Sequence, residues 1–181
     1  YAQYKSDPHL QAAHLAAPWL VTWDDHEIAN DYANDRDERL DLRFIERRAA
    51  AYQAFYEHMP VRLHQAIPKG NEFSALRIYD RCDWGKLIRF HILDARQYRS
   101  YQACTPHQRG GSAMIAPGSC SDLRDPTRTM LGFEQEQWLS RGLTKSAARW
   151  NAVVQQTLMA QCRRQNVVNP ASNTSDFKFW T

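Results

Sequence analysis

Five consecutive residues, Trp23-Asp24-Asp25-His26-Glu27, hold the side chains in this sequence best suited to chemistry on a charged substrate. A hard metal cation takes oxygen ligands such as carboxylates. A phosphoryl oxygen that gains negative charge is served by a nearby histidine, which can stabilise it or protonate the leaving group. Asp25 and His26 supply one of each. Four ionisable residues in succession between Val21 and Ile28 cannot all face solvent from one side of a strand, so part of this charge must converge on something that offsets it. His26-Glu27 also opens the zinc-protease pattern H-E-x-x-H, but position 30 is Asn30, so the second histidine is missing and that reading fails. The competing explanation is an acidic surface turn that happens to contain a histidine.

A second group lies in Leu93-Asp94-Ala95-Arg96-Gln97-Tyr98-Arg99. Arg96 and Arg99 follow a strand-like run, and a guanidinium can fork onto two phosphate oxygens at once. A structural pairing of these arginines with Asp94 is the alternative, and the residues alone leave both open. His9, His14, His58, His64, His91 and His107 share no metal-ligand spacing and read as surface or core histidines. Trp138, Leu139 and Trp150 sit in periodic apolar contexts and read as core. Cys82, Cys104, Cys120 and Cys162 contain no C-x-x-C pair, which argues against a zinc knuckle or a thioredoxin-type site. Cys104 and Cys120 bracket a loop-like stretch; in an exported protein a bridge there would stabilise by about 3 kcal/mol, and two unpaired thiols are the other possibility.

The elements that must carry these groups alternate along the chain. An Ala-rich helical stretch from Ala2 to Ala17 ends at Pro18, and Trp19 to Trp23 reads as a short strand feeding the acidic segment from Asp24 to Asp41. Leu40, Phe44, Ala51, Phe55 and Met59 then recur at helical spacing up to Pro60. Phe73 to Asp80 and Lys86 to Asp94 read as a hairpin. In it Leu76 and Ile78 share one face, and Ile88, Phe90 and Ile92 share another. Ser100 to Thr129 is a long loop rich in Gly, Ser and Pro, of the kind that shapes binding sites. Phe133 to Arg141 follows as a helix with Gly142 as its C-cap, and Trp150 to Thr157 as a further strand. This alternation predicts an α/β or α+β layered domain without internal repeats.

In order along nearly the whole chain, four segments resemble motifs of the alkaline phosphatase D family of metallophosphoesterases. They are Trp23 to Glu27 with Asn30, Leu93 to Arg99, Met130-Leu131-Gly132 with Gln135 and Trp138-Leu139, and Trp150-Asn151 followed by Gln155-Gln156. The resemblance implies an α/β fold, a metallophosphoesterase (calcineurin-like) layered β-sandwich with flanking helices. It also implies hydrolysis of phosphate esters, phosphomonoesters first and phosphodiesters in addition, with iron and calcium as cofactors. Asp24-Asp25-His26-Glu27 looks like the counterpart of the G-N-H-D/E motif, which makes Asp25 a metal ligand and His26 the catalytic group acting on the phosphate. Glu27 and Asn30 brace the loop. Arg96 and Arg99 match the family's L-D-x-R-x-Y-R and become the substrate-binding residues. The family's earlier aspartate motifs, its iron-ligand cysteine and its G-D-x-H motif have no counterpart. The chain is therefore expected to be the central part of a single domain, truncated at both ends, and to be weakly active by itself. A phosphodiesterase or phospholipase D-like hydrolase is the alternative activity, and a non-catalytic phosphate- or metal-binding homologue is the rival of another class.

Composition sets the outer limits. Among 181 residues, 23 Lys and Arg oppose 20 carboxylates, and the resulting net charge of +3 is dispersed, which argues against dedicated nucleic-acid binding. No apolar run approaches the roughly 20 residues that span a bilayer. Small phosphate esters are the expected partners. The resemblance places the protein outside the cytoplasm, extracellular or periplasmic, with a secretion signal upstream of Tyr1.

Overall fold

The computed structural model describes residues 1–115, 118–159, 164–165 and 177–180. Asp7 and Pro8 divide the N-terminal stretch. The Asp7 carboxylate accepts from the His9 and Leu10 backbone N–H groups, and Pro8, which has no N–H to leave unsatisfied, starts the next helix. The expected single helix is thus two, α1 (Ala2–Lys5) and α2 (Pro8–Ala16).

Residues 19–23 form no strand among the described residues, contrary to expectation. Their polar groups turn to another element instead: Thr22 Oγ1 donates to the Leu93 carbonyl. The next helix, α3 (Phe44–His58), starts later than the apolar spacing suggested, because Leu40 takes a left-handed φ of 56° in the turn before it. Phe44, Arg48, Ala49, Tyr52 and Phe55 form its buried face. Trp23 stacks on Tyr52 with ring centroids 3.8 Å apart and meets Phe55 edge-on. These rings, with Tyr32, Phe73, Leu76 and Ile78, make the core that anchors the acidic motif.

The expected hairpin exists with its first strand displaced. β1 (Asp80–Trp84) pairs antiparallel with β2 (Ile88–Ile92) around Gly85, whose φ is 56°. Phe73 lies in a short 3-10 turn instead, while Leu76 and Ile78 are buried ahead of the strand. Cross-strand partners explain the shift. Asp83 faces Arg89, and their side chains pair at 2.7 Å, so polar matching sets a register that apolar periodicity cannot reveal.

β4 (Trp150–Val154) lies parallel to β2, giving the order β1-β2-β4. The crossover contains α4 (Phe133–Thr144). Gly142 is not its C-cap: it is buried inside α4, where a Cβ would stand 2.3 Å from Arg81 Nε. The Arg81 guanidinium lies over the Trp138 ring at 3.9 Å, so glycine makes room for a cation packed on an aromatic face. A second small sheet joins β3 (Met114–Ile115), β5 (Arg164–Gln165) and β6 (Phe177–Trp180) in the order β3-β6-β5. The α/β class is as expected. Because β2 and β4 are parallel neighbours, the segments leaving their C-terminal ends, Leu93–Arg99 and Gln155-Gln156, emerge side by side.

Candidate active site

Asp94 fixes the centre of the site. It is fully buried, and its carboxylate accepts four hydrogen bonds: from Arg96 N at 3.0 Å, Gln97 N at 2.9 Å, Gln97 Nε2 at 3.1 Å and Trp23 Nε1 at 3.0 Å. Burial raises its pKa even against these donors. The bond to Trp23 ties the start of the acidic motif to the end of β2. Asp94 binds the Arg96 backbone and not its guanidinium, so the side-chain pairing considered from the sequence takes a different form.

Two glutamine amides complete the frame. Gln156 Nε2 donates to Thr22 Oγ1, Trp23 O and Leu93 O, while its Oε1 accepts from Ala95 N. Gln135 Oε1 accepts from Asp94 N, and its Nε2 donates to Asp94 O and Leu131 O. Each bridges segments that are distant in sequence. This gives a physical reason for their place in the motif set, which sequence reasoning had left without a role.

The acidic motif is then arranged around one arginine. Arg96 Nε donates to Asp24 Oδ1 at 2.7 Å, Nη1 to Asp31 Oδ1 at 3.2 Å, and Nη2 lies 3.6 Å from Asp25 Oδ2. Burial disfavours its charge, but Asp24, Asp25 and Asp31 outweigh burial and raise its pKa. Arg96 therefore spends its donors on carboxylates. Arg99 differs: it is buried, and its Nε has no hydrogen-bond partner. Burial first, and the Arg96 charge second, push its pKa down to about 10.

Asp25 and His26 are each held through a single edge. Asp25 Oδ2 accepts from Asp31 N at 2.6 Å, and its Oδ1 takes part in no hydrogen bond among the described residues. The exposed His26 ring meets Asn30 Oδ1 through Nε2 at 3.0 Å. Asn30 Nδ2 donates to Glu38, so the Asn30 oxygen must accept, which makes His26 Nε2 the N–H and leaves Nδ1 as the open nitrogen. Glu27 caps the Asp24 N–H at 2.8 Å. Glu27 and Asn30 brace the loop, as expected.

Asp31 was not singled out from the sequence, where nothing marks it among the acids of residues 24–41. Its carboxylate meets Arg96 and the Gln102 amide and accepts from Ser112 N, while its own N–H holds Asp25. Burial would raise its pKa, but the Ser112 hydrogen bonds and the Arg96 charge bring it below the usual carboxylate range. Ser112 lies in the long loop, which a Cys104–Cys120 disulfide closes. At Gly110 a Cβ would stand 2.2 Å from the Asp37 carbonyl oxygen, so only glycine lets this loop lie against the acidic segment.

The donor set suits a hard cation in part. Asp25 offers one open carboxylate oxygen beside two further aspartates. Among the described residues, however, the one group of three converging ligand side chains is Cys104, Cys120 and Asp122, and those two sulfurs are bonded to each other. Asp25 thus has an open oxygen, but among the described residues no set of ligand side chains converges on it.

Comparisons with known proteins bear on the family and the fold. The family model for PhoD-like phosphatases matches residues 1–178. Alkaline phosphatase D of Bacillus subtilis (strain 168) is 45% identical over 163 residues, which are 89% of this chain and 26% of that protein. A solved structure of PhoD superposes with a TM-score of 0.78 and 41% identity, covering 98% of this chain and 31% of that one. The chain spans about a third or less of the length of these relatives.

Proposed function

We propose, from the premise that this chain belongs to the PhoD-like phosphatase family, that the protein containing it hydrolyses phosphate esters, phosphomonoesters first, with the help of bound iron and calcium. The observation that carries the reading is the pairing of Asp25 and His26: neighbours in the motif, each fixed through one atom and open at another. Residues 1–181 are read as the central part of one calcineurin-like metallophosphatase domain, of which the family match covers 1–178.

Asp25, whose Oδ2 is fixed by Asp31 N and lies near Arg96, would hold a cation with its remaining oxygen. When bound, the ions supply positive charge that neutralises the phosphate and activates water. His26, oriented by Asn30 through Nε2, presents Nδ1 to the substrate and, as the imidazolium with a proton on each ring nitrogen, gives the Nδ1 proton to the leaving oxygen. Arg96 acts by positioning, since it collects Asp24, Asp25 and Asp31 on one guanidinium. Arg99, whose Nε has no hydrogen-bond partner among the described residues, is the substrate-binding arginine.

An extracellular or periplasmic setting is proposed as well. The Cys104–Cys120 bridge supports it, because such bonds persist in oxidising compartments. The experiment is hydrolysis of an aryl phosphate by the full-length protein before and after a chelator. Activity is expected to disappear with the metals and to return with iron and calcium; full activity in metal-free protein would contradict the proposal.

A further inference from the structure

Among the described residues, Arg99 is a buried cation in no ion pair. It is 7% exposed, and its Nε is enclosed without a partner. The carboxylates that could serve it, Asp24, Asp25 and Asp31, are all drawn to Arg96. A guanidinium stays protonated at neutral pH, and a buried charge is retained where something offsets it. The groups acting on it after burial include Arg96 and Arg128, which oppose its charge, and Asp31 and Asp24, which favour it.

Arg99 lines a cavity of about 160 Å³ together with Gln102, Arg128, Thr129, Leu123 and Met130. No carboxylate lines it, and neither do Asp25 and His26. Gln102 Nε2 and the Thr129 hydroxyl are committed to Asp31 and Glu136. Arg128 gives one Nη2 bond to the Tyr101 carbonyl and keeps its other donors. Two arginines therefore line a small, partly apolar space.

We propose that this cavity is an anion subsite that takes a second anionic oxygen group of the substrate, a phosphate or carboxylate other than the phosphoryl group being hydrolysed. The assignment to a second group rests on the proposed function, because the phosphoryl under attack must lie within reach of Asp25 and His26. Substrates with two negative groups are then favoured over those with one. Arg128, which the sequence did not mark, joins Arg99 in setting that preference.

The primary probe is inorganic phosphate, titrated calorimetrically into the full-length protein after chelation, which removes binding through cations at Asp25. Phosphate is expected to bind the wild type, to bind Arg99→Gln and Arg128→Gln about tenfold or more weakly, and to bind Asp25→Asn as it binds the wild type. Arg128 is only half-buried, so R128Q keeps the test decisive if R99Q does not fold. In metal-loaded protein R128Q should lose more kcat/KM on phenyl phosphates carrying a second phosphate or carboxylate than on phenyl phosphate itself. The larger of the two losses identifies the preferred group. Equal phosphate binding by wild type and R128Q would overturn the proposal. Loss of binding in D25N would also overturn it, by placing the anion at the acidic motif, and equal kinetic losses on all substrates would remove the second-group assignment. A protein that hydrolyses none of these esters would refute the proposed activity, and the calorimetric arm would still decide the subsite.

Discussion

At the residue scale, the site is organised by which polar groups already have partners. Arg96 and Arg99 stand three apart in one motif and look equivalent in the sequence, yet among the described residues one is bound by three aspartates and the other by none. The difference arises because Asp31, 65 positions from Arg96, folds back onto it. Such long-range pairing has no signature in local spacing. The bracing by Asn30 was expected and is seen, whereas the roles given to Asp25 and His26 came from the motif's resemblance, because a carboxylate-histidine pair at an acidic turn is explained equally well as a surface turn. Replacing Arg96 with Met would leave three carboxylates without their shared cation. It is expected to lower the unfolding free energy by about 3 kcal/mol, measured by denaturant titration. A change below about 0.5 kcal/mol, the level of an ordinary surface substitution, would mean that the cluster is held by something else.

At the scale of elements, parallel pairing of β2 and β4 brings two motif segments to one edge, and Gln135 and Gln156 lock them to the acidic turn. The sequence identified α3, α4, the hairpin and β4, since each has strong periodicity or turn chemistry. It missed the break at Asp7-Pro8, where a capping carboxylate wins over a run of helix formers, and the β1 register, set by the Asp83–Arg89 pair. The long loop was visible from its composition, but its task was not. Its disulfide holds Ser112 against Asp31, two bonds away from Asp25. Cys104→Ser together with Cys120→Ser should lower stability by about 3 kcal/mol, as loop-closure entropy predicts for a separation of 16 residues. Mass spectrometry of the native protein finding both thiols free would contradict this link.

At the scale of the whole molecule, one motif-bearing turn, one buried aspartate and two glutamines hold together residues spread over more than 130 positions. Family membership could be read early because four short motifs keep their order, even though no single one is decisive. Ligands that would complete a metal site at Asp25 could not be read, since this chain matches only 26% of the length of alkaline phosphatase D. The account stands on Asp25 as a metal ligand of a phosphoester hydrolase. Its most direct test compares the full-length protein with its Asp25→Ala variant for aryl phosphate hydrolysis, with bound iron and calcium quantified in both. The account predicts a rate loss of about a hundredfold or more, the scale expected when a transition-state charge stabiliser is removed, together with loss of metal. Unchanged activity and metal content in the folded variant would show that the site lies elsewhere.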